Sequence, residues 1–574
     1  MSRKKRREQS QEPSPAAELP AWLKRPELGL FLLALALRLL HLWLYRGDFW
    51  AWTPLLDDNI FVSWRDLIAR EGFLARSLGV FNLNPGYPYF LAALGRLFGH
   101  GLLAPVLLQH LLGALVPPLL YRVGRELFDE RVGLVAGLLA ALYGPAVFYE
   151  SRLLGESFIY LLNAGFLFLL CRGAAEAPEF RSTLAGILLG LSAVFRPTAL
   201  ALAPLAALWI LSTTRVRGSA RSWLCVALFA LGVWLPMLPV QLRNRAVDPA
   251  SGWGLTTASG GVNLFLGNNP EADGLNKAPS FVRYGPGQQY QDFKEEAERR
   301  AGRTLSAREV SAFWTGRVRE WFRVRPDLAW GLVLRKAELF WNHREPPDNF
   351  FPSLFERFTK LGPVPLVGWG LVAPLGLWGL LASVGWLSGR WLLHGYALAY
   401  FGLVTGFYVL SRYRFPAAAA LIPLAAFGLV RLRDLCVQRR LARAFGMTLL
   451  LVPCVLLSRL PLIGEEDAAS AHYSMGVIYA NQGWKEKAVE EYRASLAADP
   501  GFSSSWLNLG LLLHELGRGP EAAAALESAA RTETDPARRA RIASAAAGLR
   551  GREPRDAGFT GDRGRAEAPS GKRP

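Results

Sequence analysis

The feature that most constrains this chain is a succession of apolar runs, near residues 28–45, 103–121, 132–148, 153–171, 183–195, 198–213, 223–241, 365–387, 391–410, 415–430 and 444–460. A helix that crosses a bilayer needs about 20 mostly apolar residues, with about 17 as the lower end. Lipid offers no partner to an open backbone, so spanning segments must close their hydrogen bonds internally. The runs therefore predict an all-α, polytopic helical bundle. A mean hydropathy of +0.18 over 574 residues agrees with that and is too apolar for a disordered chain or an ordinary soluble multidomain protein. The two runs around Arg196 are short, and one long kinked helix competes with two spans. Pro197 favours the break, because proline removes a backbone donor and clashes inside a helix.

The formal net charge of +18 fits either a nucleic-acid partner or the loop charges of a membrane protein. Position decides between them. With the leader MSRKKRR on the cytoplasmic side, the short inner loops carry fourteen arginines and the short outer loops four: Arg152, Arg196, Arg412 and Arg414. This asymmetry predicts a multi-pass protein of the cytoplasmic (inner) membrane with its N-terminus cytoplasmic, its C-terminus extracytoplasmic and no nucleic-acid partner. Residues 1–26 read as a flexible basic leader rather than a cleaved signal peptide, since no A-x-A-like site follows the first span. The four cysteines are far apart and the seven histidines scattered, which argues against a disulfide framework or a protein-held zinc.

Two outer segments, 46–102 and 242–364, are too long for turns and contain aromatic, amphipathic stretches suited to the headgroup layer. After the last span, two segments align at a spacing of 34 residues, starting at His472 and Trp506. Gly476 matches Gly510, Ala488 matches Ala522, and Tyr492 matches Leu526. The period and the small residues at the helix crossing resemble the tetratricopeptide repeat, over 466–550. Such repeats bind proteins, but two are fewer than the roughly three an independent solenoid needs, so a cap docked on the membrane domain is the competing reading. The tail 551–574 lacks apolar periodicity and reads as disordered.

The first outer segment opens WAWTPLLDDNIFVSW, placing Asp57 and Asp58 just past the first span. Adjacent acids there are either a solvated helix start or a general base held ionised to accept a proton from an attacking hydroxyl. FNLNPGYPYFLAALGRLFG follows, with a turn at Asn84, Pro85, Gly86 and Tyr87.

The joint order of the DD pair, NPGYPYFLAALGRLFG, LLQHLLGALVPPLLYRVGRELFDERVGLVAGLLAALYGPAVFYESRLLGES, GLSAVFRPTALALAPL, LPVQLRNRAV, GGVNLFLGNNPEADG and SRYRFPAAAALIPL resembles the protein O-mannosyltransferase and aminoarabinose lipid A transferase family. These are glycosyltransferases of family 39 with a GT-C fold; the likeness covers residues 25–460 in sequence order, and the membrane domain it defines is 27–462. It implies transfer of a sugar, with inversion, from a polyprenyl-phosphate donor to an acceptor hydroxyl of a protein, lipid or glycan outside the cytoplasmic membrane. The family's first loop carries Asp-Glu, so the base falls on Asp57; Asp58 stands in place of the Glu. Some members have Lys-Pro where this chain has Asn84-Pro85. By family position Glu156 is a second site carboxylate, with Glu150 as substitute, and a buried helix-start acid is the bland alternative. Asn84, Tyr87 and Asn268 are candidate substrate contacts and equally plain turn formers. No cofactor is implied with certainty, a divalent cation being the one candidate.

Departure of a phosphate from an anomeric carbon needs a base on one face and charge stabilisation on the other. Arg412, Arg414, Arg196 and Arg243 fall on the outer side and are the candidate phosphate ligands, although interfacial snorkelling explains such arginines as well. Lys336 and Glu345 flank an amphipathic stretch and are weaker candidates. Two other classes remain open: a transporter of lipid-linked or small substrates, and a non-catalytic membrane-anchored scaffold. Against the transporter, the acids cluster at one surface and no halves repeat.

Overall fold

The computed structural model describes residues 25–550 except 173–176, 214–218, 254–255, 283–288, 347–351, 387–390, 465–467 and 534–535. Residues 1–24 of the leader, the tail 551–574 and the inner-loop arginines Arg215, Arg217 and Arg390 lie outside the described residues.

Helix α1 (Pro26–Tyr45) starts on a proline with Glu27 in its first turn, where a missing N–H and a negative charge both suit a helix N-terminus. Three helices fill the first long connection: α2 (Phe49–Trp52), α3 (Asp57–Glu71) and α4 (Gly86–Phe98). The second and third apolar runs are each broken in two, giving α5 (Leu103–Gly113), α6 (Val116–Leu127), α7 (Glu130–Ala141) and α8 (Gly144–Glu150). Then come α9 (Glu156–Cys171), α10 (Pro178–Phe195), α11 (Ala203–Thr213) and α12 (Ala220–Val247). Arg196 is extended, at φ −158° and ψ 109°, so the run around it is two helices and not one kinked helix.

The second long connection contains α13 (Gly260–Leu266), α14 (Gln289–Ala301), α15 (Ala307–Val324), α16 (Pro326–Trp341) and α17 (Pro352–Phe358). A short antiparallel hairpin, β1 (Lys360–Leu361) and β2 (Val364–Pro365), closes it. The last apolar runs form α18 (Trp369–Ala382), α19 (Leu392–Gly406), the short α20 (Ser411–Arg414) leading into α21 (Ala418–Val437), and α22 (Leu441–Ser458).

Among the described residues five helical stretches are long and apolar enough to cross a bilayer, and four shorter helices are apolar. They are not equivalent. The stretch Ser411–Val437 has 83% of its most apolar window buried, whereas Leu441–Ser458 has 17%, so the first is the centre of the bundle and the second its rim. Exposed leucines and tryptophans on α1, α12 and α22, such as Trp43, Trp223 and Leu456, form an outer apolar surface that lipid would cover. Inside, α10 and α12 come into backbone contact at Gly186, Gly190 and Gly232, where any Cβ would collide with the facing main chain. Small residues permit this approach, which is how helices gain packing energy when lipid removes the hydrophobic drive.

Among the described residues the C-terminal module is five helices: α23 (Ala468–Asn481), α24 (Lys485–Ala498), α25 (Ser503–Glu515), α26 (Gly519–Thr532) and α27 (Pro536–Arg550). A Cβ on Gly476 would stand 2.6 Å from the Tyr492 ring, and one on Gly510 2.7 Å from Leu526, so the glycines mark the crossings that the repeat spacing predicts. Helix α27 covers Leu526 and Ala529 with Ile542 and Ala546, ending the stack.

Candidate functional site

The two acids open α3 behind a strained residue. Leu56 has φ 41°, a region branched side chains rarely adopt, and this turns the chain so that Asp57 and Asp58 face different partners. Asp57 Oδ2 accepts a hydrogen bond from Arg412 Nη1 at 2.6 Å. Asp58 Oδ2 accepts from Arg152 Nη2 at 2.8 Å. Arg152 also donates to the carbonyls of Trp50 at 2.8 Å and Thr53 at 2.7 Å, joining α2 to the start of α3.

A third acid completes the group. Glu156, the first residue of α9, is ion-paired with Arg196 at the end of α10. Arg196 Nη1 donates to the Arg412 carbonyl at 3.0 Å, and both guanidinium groups lie over the Tyr413 ring, at 4.8 and 5.4 Å from its centroid. Tyr87 donates to Gln109 Oε1 at 2.7 Å, and Gln109 donates back to the carbonyls of Glu150 and Arg152, each at 2.8 Å. Burial, with Asp58 and Glu156 nearby, pushes the Tyr87 hydroxyl well above its ordinary range and keeps it a donor. Asp57, Asp58, Glu156, Arg196, Arg412 and Tyr87 therefore share one site, drawn from five separate stretches of chain.

The acids differ in access. The Asp57 side chain is 13% exposed, and Asp58 is 1% exposed. Burial raises the Asp58 carboxyl to about 6, against the opposing pull of Arg152. At the site, the buried Asp58 Oδ1, an acceptor, and the buried Arg196 Nε, a donor, have no hydrogen-bond partner. Buried polar groups are nearly always satisfied, so an open donor and an open acceptor beside three acids and three arginines mark where a polar ligand would fit. Among the described residues no three His, Cys, Asp or Glu side chains gather as metal ligands do.

Other candidates lie elsewhere. Arg414 is fully buried and donates to the carbonyls of Leu339, Phe340, Asn342 and Arg344 and, at 3.0 Å, to Glu345. Arg243 is spent on the carbonyls of Leu74, Ala75 and Gly79 with its guanidinium over Phe81. Both tie distant backbone together, Arg243 with all three guanidinium nitrogens engaged and Arg414 with its Nε left without a partner. Asn268 is locked by Lys336, whose Nζ donates to Asn268 Oδ1 at 2.8 Å and to the Phe407 carbonyl at 2.9 Å; burial lowers this ammonium to about 8. Glu150 is not at the acid cluster: it makes a two-point ion pair with Arg38, at 2.6 and 2.8 Å, and meets His110 at 3.2 Å. Asn84 is half-buried at the turn before α4.

Arg152, Gln109 and Tyr413 are members that the sequence pattern does not single out. Arg152 leaves a trace as one of only four arginines in the short outer loops.

Fold and site together define a multi-span α-helical membrane protein with an acid–arginine cluster at one end of the bundle and a tetratricopeptide-like module beside it. Residues 83–239, which supply Tyr87, Gln109, Arg152, Glu156 and Arg196, match the family model described as dolichyl-phosphate-mannose-protein mannosyltransferase. Residues 469–502 match the tetratricopeptide repeat. The photosystem I assembly protein Ycf3 of Acaryochloris marina is 42% identical over 65 residues, which are 11% of this chain and 39% of that protein. Among solved structures, the oligosaccharyltransferase of Archaeoglobus fulgidus tethered to an acceptor peptide is similar at 14% identity with a TM-score of 0.41, covering 82% of this chain and 59% of that one. The archaeal enzyme AglB with an inhibitory peptide and dolichol-phosphate gives 14% and 0.40, over 81% of this chain and 60% of that one. The chain thus spans less than two thirds of each of these relatives.

Proposed function

We propose that this chain is a GT-C-type membrane glycosyltransferase. It takes a sugar from a polyprenyl-phosphate donor and passes it, with inversion, to an acceptor hydroxyl on the extracytoplasmic face. The observation that carries the reading is the cluster itself: Asp57, partly exposed and ion-paired with Arg412, beside Arg196 with an unpartnered Nε. The match of residues 83–239 to a mannosyltransferase family supports it.

In this mechanism the acceptor O–H gives its proton to the Asp57 carboxylate as its oxygen attacks the anomeric carbon. The bond from that carbon to the phosphate oxygen breaks, and the electron pair leaves with polyprenyl phosphate. Phosphate departs as a stable anion, so no strong general acid is required. Arg196, through its unpartnered Nε, and Arg412, through the positive charge it places beside Asp57, stabilise the charge that grows on it. Asp58 is the more enclosed of the two acids and, held by Arg152, fixes the start of α3.

Purified protein in nanodiscs, given polyprenyl-phosphate mannose and an extract of membrane lipids and proteins, is expected to release polyprenyl phosphate and form a mannosylated product. Asp57→Asn should insert and fold normally while turnover falls by about 10²–10⁴-fold, the usual worth of a general base. Transfer at the wild-type rate by that variant would remove Asp57 from the role.

A further inference from the structure

The repeat module seats directly on the segment that builds the acid site. Met475, Ile478 and Tyr479 lie on one face of α23, by their spacing of three and four, and pack against the core of the membrane bundle. Tyr479 also packs against the module's own core, so it belongs to both bodies. Its ring centroid is 5.0 Å from that of Trp50, whose side chain is a polar neighbour of the Tyr479 hydroxyl. Trp50 is buried, and its carbonyl is one of the two that Arg152 holds while gripping Asp58. A second line of contacts runs through the linker after α22. Asn342 donates to the Leu460 carbonyl at 2.7 Å and Arg344 to the Ile463 carbonyl at 3.2 Å. The carbonyls of Asn342 and Arg344 in turn receive Arg414, two residues beyond the Arg412 that pairs with Asp57.

We propose that the tetratricopeptide-like module is a structural part of the acid site, with Tyr479 acting through Trp50 and Arg152 as a positioning residue for Asp58 and the start of α3. Tyr479 touches no reacting atom. Its effect is to hold α2 where the Trp50 and Thr53 carbonyls can fork Arg152, leaving that guanidinium one geometry toward Asp58. A site built by carbonyls from a four-residue helix and the residue that follows it has little rigidity of its own, and the module supplies it. The consequence for catalysis rests on the transferase reading; the consequence for the order of α3 does not.

Hydrogen exchange on the full chain in nanodiscs separates the two. The amides of Asp58, Asn59 and Ile60 donate to the carbonyls of Leu55 and Leu56, so their exchange reports the opening of the α3 start. Tyr479→Ala is expected to speed it about tenfold, with the amides of α25 and α26 unchanged. Tyr479→Phe, which keeps the ring and loses the hydroxyl, should restore most of the protection. Wild-type exchange at Asp58–Ile60 in Tyr479→Ala, with an intact module, would overturn the proposal. If Tyr479→Ala unfolds the module, Trp50→Phe and Tyr479→Phe decide: each should give about a two- to threefold rise, and no rise in either is the contrary result. In the transfer assay Tyr479→Ala should lower kcat about tenfold at unchanged donor KM, with recovery in Tyr479→Phe; an unchanged kcat would confine the module's role to folding and overturn the link to the site. A wild-type protein without transfer would refute the transferase reading and leave the exchange result to decide this one.

Discussion

Asp57 and Asp58 are neighbours in sequence and opposites in setting, and the difference gives each a separate test. Asp57 loses its charge in Asp57→Asn with little change of shape, so the expected loss is in turnover and not in folding. Asp58 is the buried partner of Arg152, and its carboxyl is raised from an ordinary 3.8 to about 6. Below pH 3.8 it is neutral in folded and unfolded chains alike. Between there and about 6 the unfolded chain ionises first, so stability falls as pH rises, and the loss is complete above about 6. Asp58→Asn removes this contribution. The difference in thermal midpoint between wild type and Asp58→Asn is therefore expected to change between pH 4 and 7, and a constant difference would show that Asp58 does not titrate there. The acids, Arg196, Arg412 and Glu156 were legible because charged residues at the ends of apolar runs are few and each asks for a partner. Arg243 and Arg414 looked equivalent in sequence. Their occupation by backbone carbonyls depends on how distant loops fold over them, which no local pattern records.

At the scale of elements, the breaks in the apolar runs were partly readable and their burial was not. Pro197 does end a helix as its chemistry requires, whereas the run 132–148 divides at Tyr143, where Gly144 and Pro145 begin a new helix. Nothing in hydropathy separates the buried Ser411–Val437 from the peripheral Leu441–Ser458, because the two are about equally apolar, at 1.8 and 1.9. Packing distinguishes them, through glycine contacts that a single sequence does not mark as close. Gly190 lies against the Val233 carbonyl, so Gly190→Leu must push α10 from α12. Overpacking of this kind costs about 1–3 kcal/mol, and a lower thermal midpoint in detergent is the expected result. Gly113 makes a sharper case, since a Cβ there would collide with the Glu150 carboxylate. Gly113→Ala should dislodge Glu150 from Arg38, and breaking a buried pair costs about 3–5 kcal/mol. Unchanged stability of Gly113→Ala would mean that α5 can move away without cost.

The molecule as a whole is held in one arrangement by contacts at its two ends, and these bear on its orientation in the membrane. At one end Tyr479 meets Trp50, so the repeat module and the acids must lie on the same side of any bilayer that the bundle crosses. At the other end Arg131, beside the start of α7, pairs with Asp434 near the end of α21 at 2.8 Å, which joins two of the arginine-rich connections. The excess of basic residues there, read with the positive-inside rule, is the basis on which we propose that this end faces the cytoplasm and the acids the opposite side. Thiol labelling tests this with the protein's own chemistry. Cys436 is exposed near Asp434 and should react with a membrane-impermeant maleimide only in inverted vesicles. In a Cys436→Ser background, Gln482→Cys on the exposed turn after α23 should react only in intact cells stripped of their outer barrier. Labelling of both positions from one side would break the topology. Labelling in the reverse sense would keep the arrangement of module and acids but place the proposed sugar transfer on the cytoplasmic face, against the topology proposed from the charge asymmetry.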